Sequence, residues 1–135
     1  MTAVERLEAE LNRCPYHDFL RPQAVAADAA GVVVRLPLRP EFGAARDSDL
    51  VHGGVLAALI DITAHAAVAV EVGRMVPTID LRIDYLKAAR GSALVARGFV
   101  LRAGRSIARA DVEVRDEAGV VVAGGRGTFS TLEVA

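Results

Sequence analysis

The chain has one cysteine, Cys14, no tryptophan, and only four phenylalanines and two tyrosines among its 135 residues. One thiol cannot close an internal disulfide, so a cysteine-stapled extracellular scaffold is excluded and a reducing, cytoplasmic setting is expected. Lysine is nearly absent as well: every basic side chain except Lys87 is an arginine. A formal net charge of −1 provides no overall field for nucleic acid or an anionic membrane, so neither partner is expected. The histidines His17, His52 and His65 and the lone Cys14 are scattered without metal-ligand spacing. No glycine-rich phosphate loop or Ser–His–Asp order appears either. Neither a metal nor a bound cofactor is expected. The opening TAVERLEAELNR is charged and periodic, unlike a secretory leader.

What the chain has in quantity is apolar text, 53% of all residues. That is enough for a folded core, and the length suits one domain over 1–135, with residues 1–20 as an N-terminal helical extension. Val4, Leu7 and Leu11 recur at helical spacing, which predicts a helix over 3–12 that Cys14-Pro15 ends. Two strands are expected near 23–27 and 32–38, then a polar loop from Pro40 to Leu50. A long helix follows over 54–72, capped by Asp47 or Asp49 and stopped at Gly73. Beyond it, Ile79, Leu81, Ile83 and Tyr85 alternate with Asp80, Arg82 and Asp84, the period of a strand. Further strands are expected at 93–102, 106–115 and 120–131, with a hairpin turn at Asp116–Gly119. Helix text occurs centrally and not between every pair of strands, so the fold class is α+β, a curved antiparallel sheet wrapped on one helix. That helix is apolar nearly all round. The sheet covers only part of it, which suggests a partner subunit over the rest.

Within the helix, VHGGVLAALIDITAHAAVAVEV embeds Asp61 in an apolar run. An acid there loses hydration unless bonded, which invites a functional explanation. At the helix start, Gly53 and Gly54 let another group approach backbone N–H donors that a first turn leaves unpaired. The apolar part from Val55 to Val70 is shorter than the roughly 20 residues of a bilayer span and carries Asp61 and His65, so a buried helix fits better than a membrane one. His65 lies one turn after Asp61, placed either to bond it or to sit as a satisfied interface histidine. Arg90, Arg102 and Arg105 fall at expected strand ends, where arginines can hold phosphates; ordinary solvated arginines are the plainer reading.

Taken together, VHGGVLAALID, the strand TIDLRIDYL, Ala89-Arg90-Gly91, RAGRS at 102–106 and the closing VVAGGRGTF resemble the hotdog-fold thioesterases, over about residues 30–131. The similarity is greatest to the phenylacetate-degradation type and related acyl-CoA thioesterases. The resemblance implies a hotdog fold, hydrolysis of acyl-CoA without metal or cofactor, and homodimers or homotetramers with active sites between subunits. It maps the family's acid onto Asp61 as base or nucleophile. The N–H that polarises the thioester oxygen maps onto Gly53, a substrate-side histidine onto His52, and a water-positioning hydroxyl onto Thr78. It departs at Arg46 and Asp49, where relatives carry Asn and Gly. That departure motivates an alternative, a non-catalytic hotdog protein that binds acyl-CoA or another apolar ligand. Independently, Gly53 and Asp61 are eight residues apart, about 12 Å along one helix. That is too far to act on one carbonyl and favours a site shared between two subunits.

Overall fold

The computed structural model describes residues 1–133. Two short helices, α1 (Ala3–Leu11) and α2 (Pro15–Leu20), precede strands β1 (Gln23–Asp28) and β2 (Gly31–Pro37). The long helix α3 (Gly53–Val72) follows, then β3 (Thr78–Tyr85), β4 (Ala93–Ala103), β5 (Ile107–Arg115) and β6 (Val121–Ser130). All six strands form one antiparallel sheet in the order β1-β2-β4-β5-β6-β3. The α+β reading and the strand positions agree with the sequence to within a residue or two. The segment after Cys14 differs. It continues as α2, because Pro15 stands at a first helical position, where its missing N–H costs nothing.

Helix α3 is long and apolar enough to cross a membrane by composition alone, yet ten of its residues are buried against the sheet and α1. Inward-facing Val34, Leu94, Ala96, Ala110, Val112, Val114, Val122 and Phe129 meet Leu59, Ile60, Ala64 and Val68. The helix lies close to the strands because glycines face it. A methyl added at Gly125 would stand 2.6 Å from the Arg82 carbonyl oxygen and 2.8 Å from Ile60 Cγ2. One added at Gly98 would meet Thr63 Cγ2 at 2.9 Å. Gly125→Ala is therefore expected to destabilise the fold by about 1–3 kcal/mol, because backbone cannot yield as a side chain does. Urea unfolding would measure it, and an unchanged midpoint would disprove the close-approach account.

Less of α3 is left uncovered than the sequence suggests. Helix α1 lays Leu7 and Leu11, both buried, over part of it. What stays half-open is a stripe of Gly54, Ala57, Ala58 and Asp61, spaced as one helical face. Strand β3 is an edge strand paired only with β6, and Ile79, Tyr85 and Leu86 are more than half exposed.

Candidate active site

The α3 N-terminus is positioned by backbone bonds on both sides. Val51 N–H donates to the Ala89 carbonyl at 2.9 Å and His52 N–H to the Phe42 carbonyl at 2.8 Å. Ala44 N–H closes the intervening loop onto the Leu50 carbonyl at 2.7 Å. His52 itself is the N-cap, not Asp47 or Asp49. Its backbone is extended, and its Nδ1 accepts the Gly54 N–H at 2.8 Å. An accepting Nδ1 places the proton of the neutral ring on Nε2, which is unpaired among the described residues. The His52 carbonyl takes the Val55 N–H at 2.9 Å. Gly54, expected as a donor to substrate, is thus already engaged. The Gly53 N–H alone in this first turn has no partner among the described residues.

A residue that the sequence reading did not select, Tyr85, fixes Gly53 from the other side. Its hydroxyl donates to the Gly53 carbonyl at 2.8 Å, and its ring lies 3.4 Å from where a Gly53 Cβ would be. The Gly53–Gly54 peptide is therefore held at its C=O by Tyr85 and at its N–H by His52. Tyr85 ends β3 and is 32 residues from Gly53, so only its place on the inward-facing register of the strand hinted at this contact.

Asp61 stands on the half-open stripe and is not stranded in the core. Thr78 Oγ1 donates to its Oδ1 at 3.0 Å. Asp61 is half-buried, and its second carboxylate oxygen has no partner among the described residues. Thr78 opens β3 opposite Phe129 on the helix-facing side, which aims its hydroxyl at α3.

His65 does not bond Asp61. Its Nδ1 lies 3.2 Å from Glu10 Oε1 on α1, and its Nε2 accepts the Val76 N–H at 3.2 Å. Both nitrogens are engaged, so direct substrate binding does not suit it. The arginines divide between the two ends of the sheet. Arg90 lies at the Gly53 end but is occupied, donating to Asp49 Oδ1 at 2.8 Å and Ser48 Oγ at 3.0 Å. That hydrogen bond holds the Asp49 carboxyl below its usual pKa. The two loop residues that depart from the family pattern therefore differ in role: Asp49 ties the loop to Arg90, and Arg46 forms no ion pair among the described residues. Arg102 and Arg105 sit at the β4–β5 turn, the sheet end opposite Gly53. The structure thus brings together His52, Gly53 and Tyr85 at one point and Asp61 with Thr78 at another. It does not bring these two clusters, or the three arginines, into one site within a chain. No group of three or more metal-ligating side chains occurs among the described residues.

A sheet wrapped round one central helix, with the helix N-terminus opened by a His-Gly-Gly turn, defines a hotdog-fold protein. Residues 49–123 match the Thioesterase superfamily, and this chain belongs to it. A solved protein from the thioesterase superfamily is 34% identical, with a TM-score of 0.92, covering 96% of this chain and 98% of its own. A Shewanella oneidensis protein related to the same superfamily is 28% identical, with a TM-score of 0.82, covering 96% and 95%. The medium/long-chain acyl-CoA thioesterase YigI of Escherichia coli K12 is 33% identical over 59% of this chain and 61% of its own. The chain spans about three fifths of the length of these curated relatives.

Proposed function

We propose that this protein is an acyl-CoA thioesterase whose active site is completed by a second copy of the chain. One observation carries the reading: the unpaired Gly53 N–H at a helix start and the Asp61 carboxylate held by Thr78 are the two parts thioester hydrolysis needs. Asp61 takes a proton from water as the water oxygen attacks the thioester carbonyl carbon. The carbonyl oxygen becomes an oxyanion that the Gly53 N–H and the positive end of the α3 dipole stabilise. Collapse breaks the C–S bond, and the coenzyme A thiolate leaves and recovers the proton from Asp61. Thr78 orients the carboxylate, and His52 fixes the donor turn while offering its Nε2–H to the substrate side.

The ~12 Å between Gly53 and Asp61 along α3 keeps them from one carbonyl within a chain. Two copies related by a two-fold axis, joined at the unpaired edge of β3, would set one copy's Gly53 near the other's Asp61. The protein would then be a homodimer, or a homotetramer of two such pairs. The acyl group is medium or long chain if it follows the E. coli relative, and aryl if it follows the phenylacetate-degradation type. A hydrolysis screen over short, medium, long and aromatic acyl-CoAs tests the reading by release of the free thiol. Turnover of at least one class is the expected outcome. Stoichiometric binding without thiol release would instead support the non-catalytic ligand carrier.

A further inference from the structure

The site's acid is supported from a direction that its own sequence neighbourhood does not reveal. His65 lies between three elements. Its Nδ1 faces Glu10 on α1, where Arg13 also grips the same Glu10 oxygen at 2.9 Å. Its Nε2 accepts the N–H of Val76, a fully buried residue two positions before Thr78. Its ring stands edge-on to Phe129, the β6 partner of Thr78, with centroids 5.9 Å apart. Both the segment leading into Thr78 and the strand residue opposite it therefore rest on His65, and Thr78 in turn holds Asp61 at 3.0 Å.

We propose that His65 is a positioning residue for the Thr78–Asp61 pair, held by Glu10 of the N-terminal helix, and that it performs this role only as a neutral imidazole. An Nε2 that accepts from Val76 carries no proton, so in the neutral ring Nδ1 bears it, 3.2 Å from Glu10 Oε1. Adding a proton to Nε2 sets N–H against N–H and removes the bond that anchors the strand entry. The charged and titratable groups around the ring are Glu10 on α1, Arg13 in the turn after it, His17 on α2, and Asp61 one turn earlier on α3. Burial pushes the imidazole below its ordinary value, while the Glu10 charge opposes that shift. The sign follows. A depressed folded value keeps the native anchor intact at pH 6.5, the ordinary histidine value, and the anchor is lost only as pH falls further, through the lower folded value.

This inference rests on Asp61 and Thr78 being the working pair, so its test has one arm that needs no activity. In an NMR titration of the wild-type protein, the Val76 and Thr78 amide signals are expected to move with the His65 ring. A Thr78 amide that stays still while His65 titrates overturns the relay, whatever the enzyme hydrolyses. The kinetic arm compares wild type with His65→Gln, which offers an acceptor near the Nε2 position and has no proton to gain. The ratio of their kcat values cancels every titration common to both proteins. It is expected to stay flat through pH 6.5 and to fall at lower pH, as the folded His65 gains its proton. Glu10→Gln removes the charge that favours imidazolium, so it should move this fall to lower pH. His65→Leu, confirmed folded, should lose about tenfold in kcat with KM little changed, the scale of one lost hydrogen bond. A pH-independent ratio, or a folded His65→Leu protein with wild-type kcat, overturns the proposal. Absence of turnover on every acyl-CoA would instead defeat the thioesterase reading and leave the amide titration to decide the relay.

Discussion

Asp61→Asn is expected to lower kcat by about 10²–10⁴-fold on the acyl-CoA that the wild type hydrolyses best. The substitution is nearly isosteric and keeps an oxygen for the Thr78 hydroxyl, whose bond to Oδ1 measures 3.0 Å in the native chain. Helix packing should therefore survive, because Asp61 lies on the half-open stripe and not under the sheet. What disappears is the lone pair that accepts the proton of water. KM should move little, since the carboxylate is assigned to the attack on the carbonyl and not to holding coenzyme A. A chromogenic thiol reagent follows release of coenzyme A, and thermal melting checks the fold. An Asp61→Asn protein with wild-type kcat would remove the carboxylate from the reaction and return attention to a ligand-binding role.

The fold was readable because its signals are local. The alternation through Ile79–Tyr85 and the long, mostly apolar run to Val72 are patterns of period two and of length, and both survive in β3 and α3. The candidate site could be placed in the sequence only where one residue defines a position, as at the helix-start Gly53 and at Asp61 within α3. Details that depend on distant partners were hidden. His65 was one turn from Asp61 in sequence, yet its partners are Glu10, 55 residues earlier, and Val76. Asp61 looked buried because its sequence neighbours are apolar. In the fold those neighbours turn toward the sheet and α1, while the acid shares its face with Gly54 and Ala58. Asp49 looked like a cap by residue type, but its carboxylate is spent on Arg90 and the histidine does the capping. In each case a side chain with several possible partners chose one that lies close only in three dimensions.

The second large effect is expected from a pair of substitutions at Gly53. Gly53→Pro should lower kcat by about 10²–10³-fold, the usual cost of one oxyanion donor, whereas Gly53→Ala should stay near wild type. Gly53 is the first residue of α3, where proline is well tolerated because its N–H has no helical partner. His52 before it already has φ −64° and ψ 135°, the extended backbone that a following proline requires. The added ring or methyl meets Tyr85 at about the ordinary contact distance, 3.4 Å for a Cβ. Neither substitution needs the helix to move, so both proteins should fold, and both keep the His52 cap on Gly54. They differ in the Gly53 N–H, present in alanine and absent in proline, and in the proline Cδ that takes its place beside the substrate oxygen. Circular dichroism should show α3 intact in each, and the contrast in kcat then reads the donor directly. A proline variant as active as wild type would mean that the oxyanion is stabilised elsewhere, and an alanine variant as impaired as the proline one would mean that space against Tyr85, not the donor, is what the glycine provides.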